Sequence, residues 1–483
     1  MTLTKTHPDT PSSLTPLLLS VCISVHLCLL PSHALAADYP TNRGSALRTG
    51  HSDNQPGPTS PKILWTHEST EHFIASPVPS DNSILISGLG AFNTAALYSL
   101  ATEPNPTQRI LWKKTAPYLR QPMVCAPAVV AGQIIFGDGM HQTDGATLHC
   151  LHASTGRPLW QFPVPGTLVH LEGSPTVADG RVYIGAGNAG ILCLDPARLT
   201  LDGKETSPDH AQALIDARWK ELLAKYEDEK KKDPDFAIPP SEDALPKPRP
   251  NKIWQVGQDK LHVDSAIAVV ANRVLVASAY LDLEKIGDRA LYCLDAADGS
   301  TLWRTPLPFN PWAGPTVAND TVILGCSSIR FDPKDIPNAK GQVLAADLNT
   351  GSLRWTKDLP AGVISPIAVA GNLAIFTATD GKVRALNLTD GQEKWARDAK
   401  APFFAGPAVD AQTVYVADLK GAVHALSLND GRKLWTLDLA ADPVKAPGMV
   451  YGSPLLHKGR LYLATCNLET AQQKTVVVCI GDR

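Results

Sequence analysis

Residues 348–355 read LNTGSLRW, 388–395 read LTDGQEKW and 428–435 read LNDGRKLW; the phrase returns upstream as ASTGRPLW at 153–160 and AADGSTLW at 296–303. Glycine stands four residues before tryptophan each time, at Gly156, Gly299, Gly351, Gly391 and Gly431. A tight hairpin needs a residue at positive φ, which glycine supplies without strain. The tryptophan then ends a short strand, and its ring is expected to pack against a neighbouring repeat.

Eight of the ten tryptophans hold this place: Trp65, Trp112, Trp160, Trp254, Trp303, Trp355, Trp395 and Trp435, spaced by 47, 48, 94, 49, 52, 40 and 40 residues. One interval is double and the others match a propeller blade. A second signature opens each unit: a small residue, usually proline, then alternating apolar residues. Examples are SPVPSDNSILISG (76–88), SPTVADGRVYIGAG (174–187), GPTVANDTVILGC (314–326) and SPLLHKGRLYLATC (453–466). Each reads as strand, polar turn, strand. A third strand follows, as in LYCLDAADG (291–299), and the tryptophan strand is the fourth.

The two ends of the array are complementary. Residues 448–480 supply three strands without a terminal tryptophan, and Lys62-Ile63-Leu64-Trp65 supplies the missing fourth. The expected fold is therefore all-β: an eight-bladed β-propeller of four-stranded antiparallel blades spanning 61–483, its N-terminal strand closing the last blade. The double interval predicts one helical insertion, 197–251, within the third blade. There Ser207-Pro208-Asp209 reads as a helix start. Ala211, Leu214, Ile215, Trp219, Leu222, Leu223 and Tyr226 form a stripe at helical spacing, expected to dock on the propeller. The insertion joins third to fourth strand, so it is expected on the face opposite the loops that open on the channel mouth.

Residues 1–36 read as a cleaved signal peptide: an apolar run from Leu17 to Leu30, then Ala34-Leu35-Ala36, with the mature chain starting near Ala37. Neither Cys22 nor Cys28 follows a small residue, so no lipid attachment is expected. Residues 37–60 form a leader segment. No later apolar run approaches a membrane span, which predicts no transmembrane segment in the mature chain. Net charge is −3, which leaves no basic field for nucleic acid. The location expected is periplasmic or secreted.

The repeats resemble the pyrroloquinoline-quinone-like (PQQ-like) propeller repeat, a strand start at small-residue-Pro followed by "yALd…tGk..W", over residues 61–483 apart from the insertion. Arg43-Gly44-Ser45-Ala46-Leu47-Arg48-Thr49-Gly50 also looks like the segment that precedes such propellers. The resemblance implies either a quinoprotein dehydrogenase or a non-catalytic scaffold such as the BamB-like members. The enzyme branch carries adjacent cysteines over the quinone, a tryptophan below it and a calcium site with a catalytic Asp. Here no cysteines are adjacent, and Trp312 is the one propeller tryptophan outside the repeat position. No residue is assigned as catalytic and no metal ligand is assigned. No cofactor is expected; PQQ with Ca²⁺ stays open as the alternative, its site motifs being absent.

Cys150, Cys193, Cys293 and Cys479 align with Ser99, Ala345, Ala385 and Ala425, a slot that asks only for small volume. They are expected in the core. Cys125, Cys326 and Cys466 leave a disulfide open, with no pairing readable from sequence.

Residues that break the repeat are the candidates for function. Three positions before the strand-start proline stand Ile74, Val124, Glu172, Val263, Trp312, Val363, Phe404 and Tyr451, with Asp264 beside Val263. His72 and His170 share a position two residues earlier; His262 and Arg120 lie nearby in their loops. His72, Arg120, His170, Glu172, His262, Asp264, Trp312, Phe404 and Tyr451 are expected to line one mouth of the channel as a polar-aromatic ligand site. Five long loops between second and third strands, 89–94, 140–145, 281–289, 327–340 and 467–474, are expected on that face. The function expected is a secreted or periplasmic non-catalytic scaffold binding other envelope or secreted proteins. The alternatives are a PQQ-dependent oxidoreductase of alcohols or sugars, and a carbohydrate- or polymer-binding module.

Overall fold

Each repeat tryptophan faces a small residue of its own blade. Trp112 pairs with Ser99, Trp160 with Cys150, Trp254 with Cys193 and Trp303 with Cys293. Trp355, Trp395 and Trp435 pair with Ala345, Ala385 and Ala425, and Trp65 with Cys479. A large side chain in that slot would push the indole off the sheet. In this computed structural model the described residues are 38–482, apart from 52, 54, 142, 442–444, 446, 447 and 469–473. The expected signal peptide and its cleavage point lie outside them, as do parts of the 140–145 and 467–474 loops.

Eight antiparallel sheets form the ring. Blades 1 and 2 span 78–114 and 128–164, and blade 3 spans 176–256 with the insertion. Blades 4 to 7 span 268–306, 316–359, 368–398 and 408–438. Blade 8 takes three strands from 455–481 and its outermost strand, Lys62–Ser69, from the other end of the chain. The closure read from the two incomplete ends is thus a ladder from Lys62↔Gly481 to Ser69↔Thr475, with one bulge at Leu64.

Blades are joined at the tryptophans. The indole N–H of Trp303 donates to the Leu348 carbonyl of the next blade at 3.0 Å, and Trp355 does the same to Leu388 at 2.9 Å. Blade 7 makes the same bond from Trp435 to Pro58, just ahead of the closing strand. The repeat glycine lies under the neighbour's indole. A Cβ on Gly351, whose φ is +71°, would come within 2.5 Å of the Trp303 ring. Gly351→Ala is therefore expected to cost about 1–3 kcal/mol through backbone strain and a displaced indole. Chemical denaturation would show this, and an unchanged midpoint would remove the glycine from the seam.

The leader occupies the axis of the ring. The innermost strands present an unpaired edge to the channel. The leader satisfies those edges blade by blade. Tyr39 exchanges bonds with Val129, and the carbonyls of Pro40, Ala46, Leu47, Thr49 and Gly50 accept from Val177, Val269, Val317, Val369 and Val409. A segment recognised only as preceding the propeller is thus a plug within it.

The insertion carries one helix, α1 (Pro208–Lys232), capped by the Ser207 side chain as the sequence predicts. Its third strand runs on to Leu201, where Lys204–Thr206 adds a short fifth strand to blade 3. Only Ala211 and Ile215 of the apolar stripe are buried, while Leu214 and Leu223 are exposed, so the helix docks by its first two turns. The returning segment is not confined to the opposite face. It runs along the outer strand of blade 2, where Gln161 donates to the Pro248 carbonyl at 2.9 Å. Glu242 then pairs with Lys114, at the end of that strand's neighbour in blade 1. No described helix is long and apolar enough to cross a membrane. All seven cysteines from Cys125 onward are buried and single, so the disulfide left open is not formed.

Candidate functional site

Four residues before each innermost strand, the chain turns a side chain toward the axis at one mouth of the channel. The eight are Ile74, Val124, Glu172, Asp264, Trp312, Ile364, Phe404 and Tyr451. All line one cavity of about 440 Å³. Counting from the proline placed Val263 and Val363 in this ring. Blade 4 has no such proline and Pro366 of blade 6 sits one residue further from its strand, so both counts slip by one. Val263 and Val363 are instead fully buried, against Gly185 and Gly325. Asp264 is therefore the true counterpart of Glu172 in the adjacent blade.

The leader makes the cavity floor. Arg48 is 1% exposed and donates from Nη1 to the carbonyls of Ala266 and Pro315, and from Nη2 to that of Ala313, at 2.9–3.1 Å. Burial lowers its pKa to about 9. The blade 5 loop reaches across the mouth as a partial roof. Its Arg330 Nη1 donates to His141 Nε2 of blade 2 at 3.0 Å. Phe331 meets the Phe404 ring edge-on at 5.7 Å. Trp312 is held in the wall, its indole N–H donating to the Ile329 carbonyl at 2.8 Å.

Titratable groups collect on the blade 2–4 side. His170 and His262 are fully buried behind the ring with their rings 5.2 Å apart. Asp264 Oδ1 lies 3.0 Å from His262 Nε2 and 3.6 Å from His170 Nε2. Glu172 Oε1 lies 3.3 Å from His170 Nδ1 and accepts the backbone N–H of His141. Burial, reinforced by the Asp264 charge, pushes Glu172 up to about 8. Burial also pushes Asp264 up, but the imidazoles of His170 and His262 outweigh it and hold that carboxyl low. Burial lowers His170 despite Asp264. The two neighbouring carboxyls are thus pushed in opposite directions, Glu172 up and Asp264 down.

Of the residues expected at the mouth, Glu172, Asp264, Trp312, Phe404 and Tyr451 line the cavity and His170 and His262 stand directly behind it. His72 and Arg120 do not join them. His72 holds the position of His170 and His262 in blade 1, but blade 2 offers Pro122 there, which separates it from the others. Its Nδ1 accepts the Asn467 N–H at 3.2 Å. Arg120 turns outward and pairs with Asp243 of the insertion. Sequence reasoning missed His141, Arg330 and Arg48. The first two sit in long loops already marked as opening on the mouth, which is the signal that could have found them.

Residues 101–205, 244–335 and 336–475 match the family described as outer membrane protein assembly factor BamB. No curated protein matches the sequence. Among solved structures, BamB from Moraxella catarrhalis superposes with a TM-score of 0.55 at 14% identity, covering 88% of this chain and 98% of that one. A quinohemoprotein alcohol dehydrogenase from Pseudomonas putida gives 0.60 at 12% identity, over 92% of this chain and 80% of that one. One from Comamonas testosteroni gives 0.58 at 14%, over 93% and 82%. These identities speak to the fold alone, and scaffold and enzyme share it. The family match covers more than half of the sequence, and the chain belongs to the PQQ-like β-propeller repeat family described as outer membrane protein assembly factor BamB.

Proposed function

We propose that this propeller is a non-catalytic extracytoplasmic scaffold that docks another protein on its mouth face. One observation carries the reading: the long loops there display large apolar side chains that stay wholly or partly exposed. Phe92 is fully exposed and Leu283 is 89% exposed, while Phe331 and Leu468 at the cavity rim are each more than two-fifths exposed. Phe92 also holds a left-handed backbone, φ 55° and ψ 33°, an unusual conformation for a bulky residue. Apolar groups presented around a concave, partly aromatic cavity are the features of a protein-docking site. The apolar run Leu17–Leu30 ahead of Ala34-Leu35-Ala36 supports export of the chain.

The cavity residues do not fit a bound quinone. None of the seven described cysteines lines it, which leaves no disulfide to cover a ring. Trp312 is tied into the wall with the Arg330 guanidinium 5.5 Å over its ring, so a flat cofactor would compete with that cation for its face. The enzyme reading is accordingly the weaker of the two.

The Phe92→Asp/Leu283→Asp double variant is expected to fold with an unchanged thermal midpoint and to lose at least about 10-fold of its co-purifying partner, as for central interface anchors. Undiminished co-purification would contradict the docking face. Titration with quinone and Ca²⁺ is expected to give no saturable binding; stoichiometric binding with dye reduction would reinstate the enzyme.

A further inference from the structure

We propose that His141, His170, His262 and Asp264 form a binding site for a divalent transition metal of the zinc class. The three imidazoles place donor nitrogens within 4.8 Å of one another. Asp264 Oδ1 stands 3.0 Å and 3.6 Å from the Nε2 atoms of His262 and His170. Around a four-coordinate zinc with bonds of about 2.0–2.1 Å, neighbouring donors lie about 3.3 Å apart. Asp264 already stands at coordination spacing from His262 and His170, and the three imidazoles need only a small closure around a common centre.

Apart from the ion-pair contacts within the cluster, the buried atoms have no partner among the described residues. Both ring nitrogens of His170, both of His262 and Asp264 Oδ1 are inaccessible to solvent and lack an aligned hydrogen bond. Buried polar groups left so are rare, because each forfeits the full cost of its desolvation. A cation between them would satisfy an Nε2 of each histidine and the carboxylate at once. Glu172 then takes the place of an outer carboxyl group, its Oε1 3.3 Å from Nδ1 of His170, which orients a ligating imidazole. Nitrogen donors select zinc, copper or nickel over calcium or magnesium. Arg330 is the competitor, since its guanidinium holds His141 Nε2 at 3.0 Å. The site stands apart from the docking reading and survives its failure.

The test uses the full mature chain, stripped with a chelator, reloaded with Zn²⁺ or Co²⁺ and gel-filtered. One equivalent of zinc is expected by elemental analysis, and Co²⁺ is expected to give the intense visible bands of a four-coordinate site. His141 lies in a half-buried loop position and contributes nothing to the core, so His141→Ala keeps the fold and should weaken zinc at least about 10-fold. Asp264→Asn should do the same and shift the Co²⁺ bands. A protein that retains no zinc, or a His141→Ala variant that binds as tightly as the parent, would overturn the site. So would zinc that persists in a folded His170→Gln/His262→Gln variant; if that variant does not fold, His141→Ala decides alone.

Discussion

Trp65→Ala is expected to destabilise the protein by about 3–5 kcal/mol, the range for removing a buried tryptophan. The side chain is 7% exposed. Its indole N–H donates to the Thr102 carbonyl of blade 1 at 3.2 Å, and its ring meets Tyr462 at 6.0 Å and the Arg109 guanidinium at 4.0 Å. These contacts hold the strand that closes the ring to blade 8 on one side and to blade 1 on the other. Trp355→Ala is the control, because it removes the same kind of contact between blades that the chain already connects. Both variants should lower the urea midpoint. Only Trp65→Ala should also speed amide exchange along 475–481, since the Val476–Gly481 ladder loses its partner when the closing strand detaches. Unchanged stability in Trp65→Ala would contradict the closure.

Arg48→Met is expected to cost a similar amount, about 3–5 kcal/mol, by leaving buried groups without partners. Its guanidinium serves carbonyls of Ala266, Ala313 and Pro315, which belong to the turns leading into blades 4 and 5. No carboxylate accompanies it in those bonds, so its charge is held by carbonyl dipoles alone. Arg48→Lys should recover little, because one ammonium cannot span three carbonyls in a planar fork. Calorimetry on both variants checks this, and a lysine variant as stable as the parent would show that charge rather than geometry is required.

The ring was legible because its determinants are local and repeated. The tryptophan, the glycine four before it and the small residue opposite it recur at fixed offsets, so blade count, closing strand and structural cysteines could be read without any long-range contact. The mouth was partly legible for the same reason: Glu172, Trp312, Phe404 and Tyr451 occupy one repeat position. The failures occurred where the repeat carries no information. A one-residue slip near Ala266 hid the equivalence of Glu172 and Asp264, and one at Pro366 hid Ile364. The meeting of His141 with His170 depends on how a non-repeating loop folds over the axis. The leader has no periodicity at all, and its role follows from the unpaired edges it satisfies rather than from its own pattern. His72 shows the converse limit, since equivalent positions come together only when their blades are adjacent.

Site-specific photo-crosslinking in the native host tests the docking face most directly. A photoreactive residue would replace Phe92 or Leu283 on the mouth-face loops, or Leu353 or Leu434, exposed on outer strands of the ring, as controls. A discrete adduct with the same partner is expected from both mouth positions and none from the outer strands. No adduct from the mouth, or the same adducts from all four positions, would contradict the docking face.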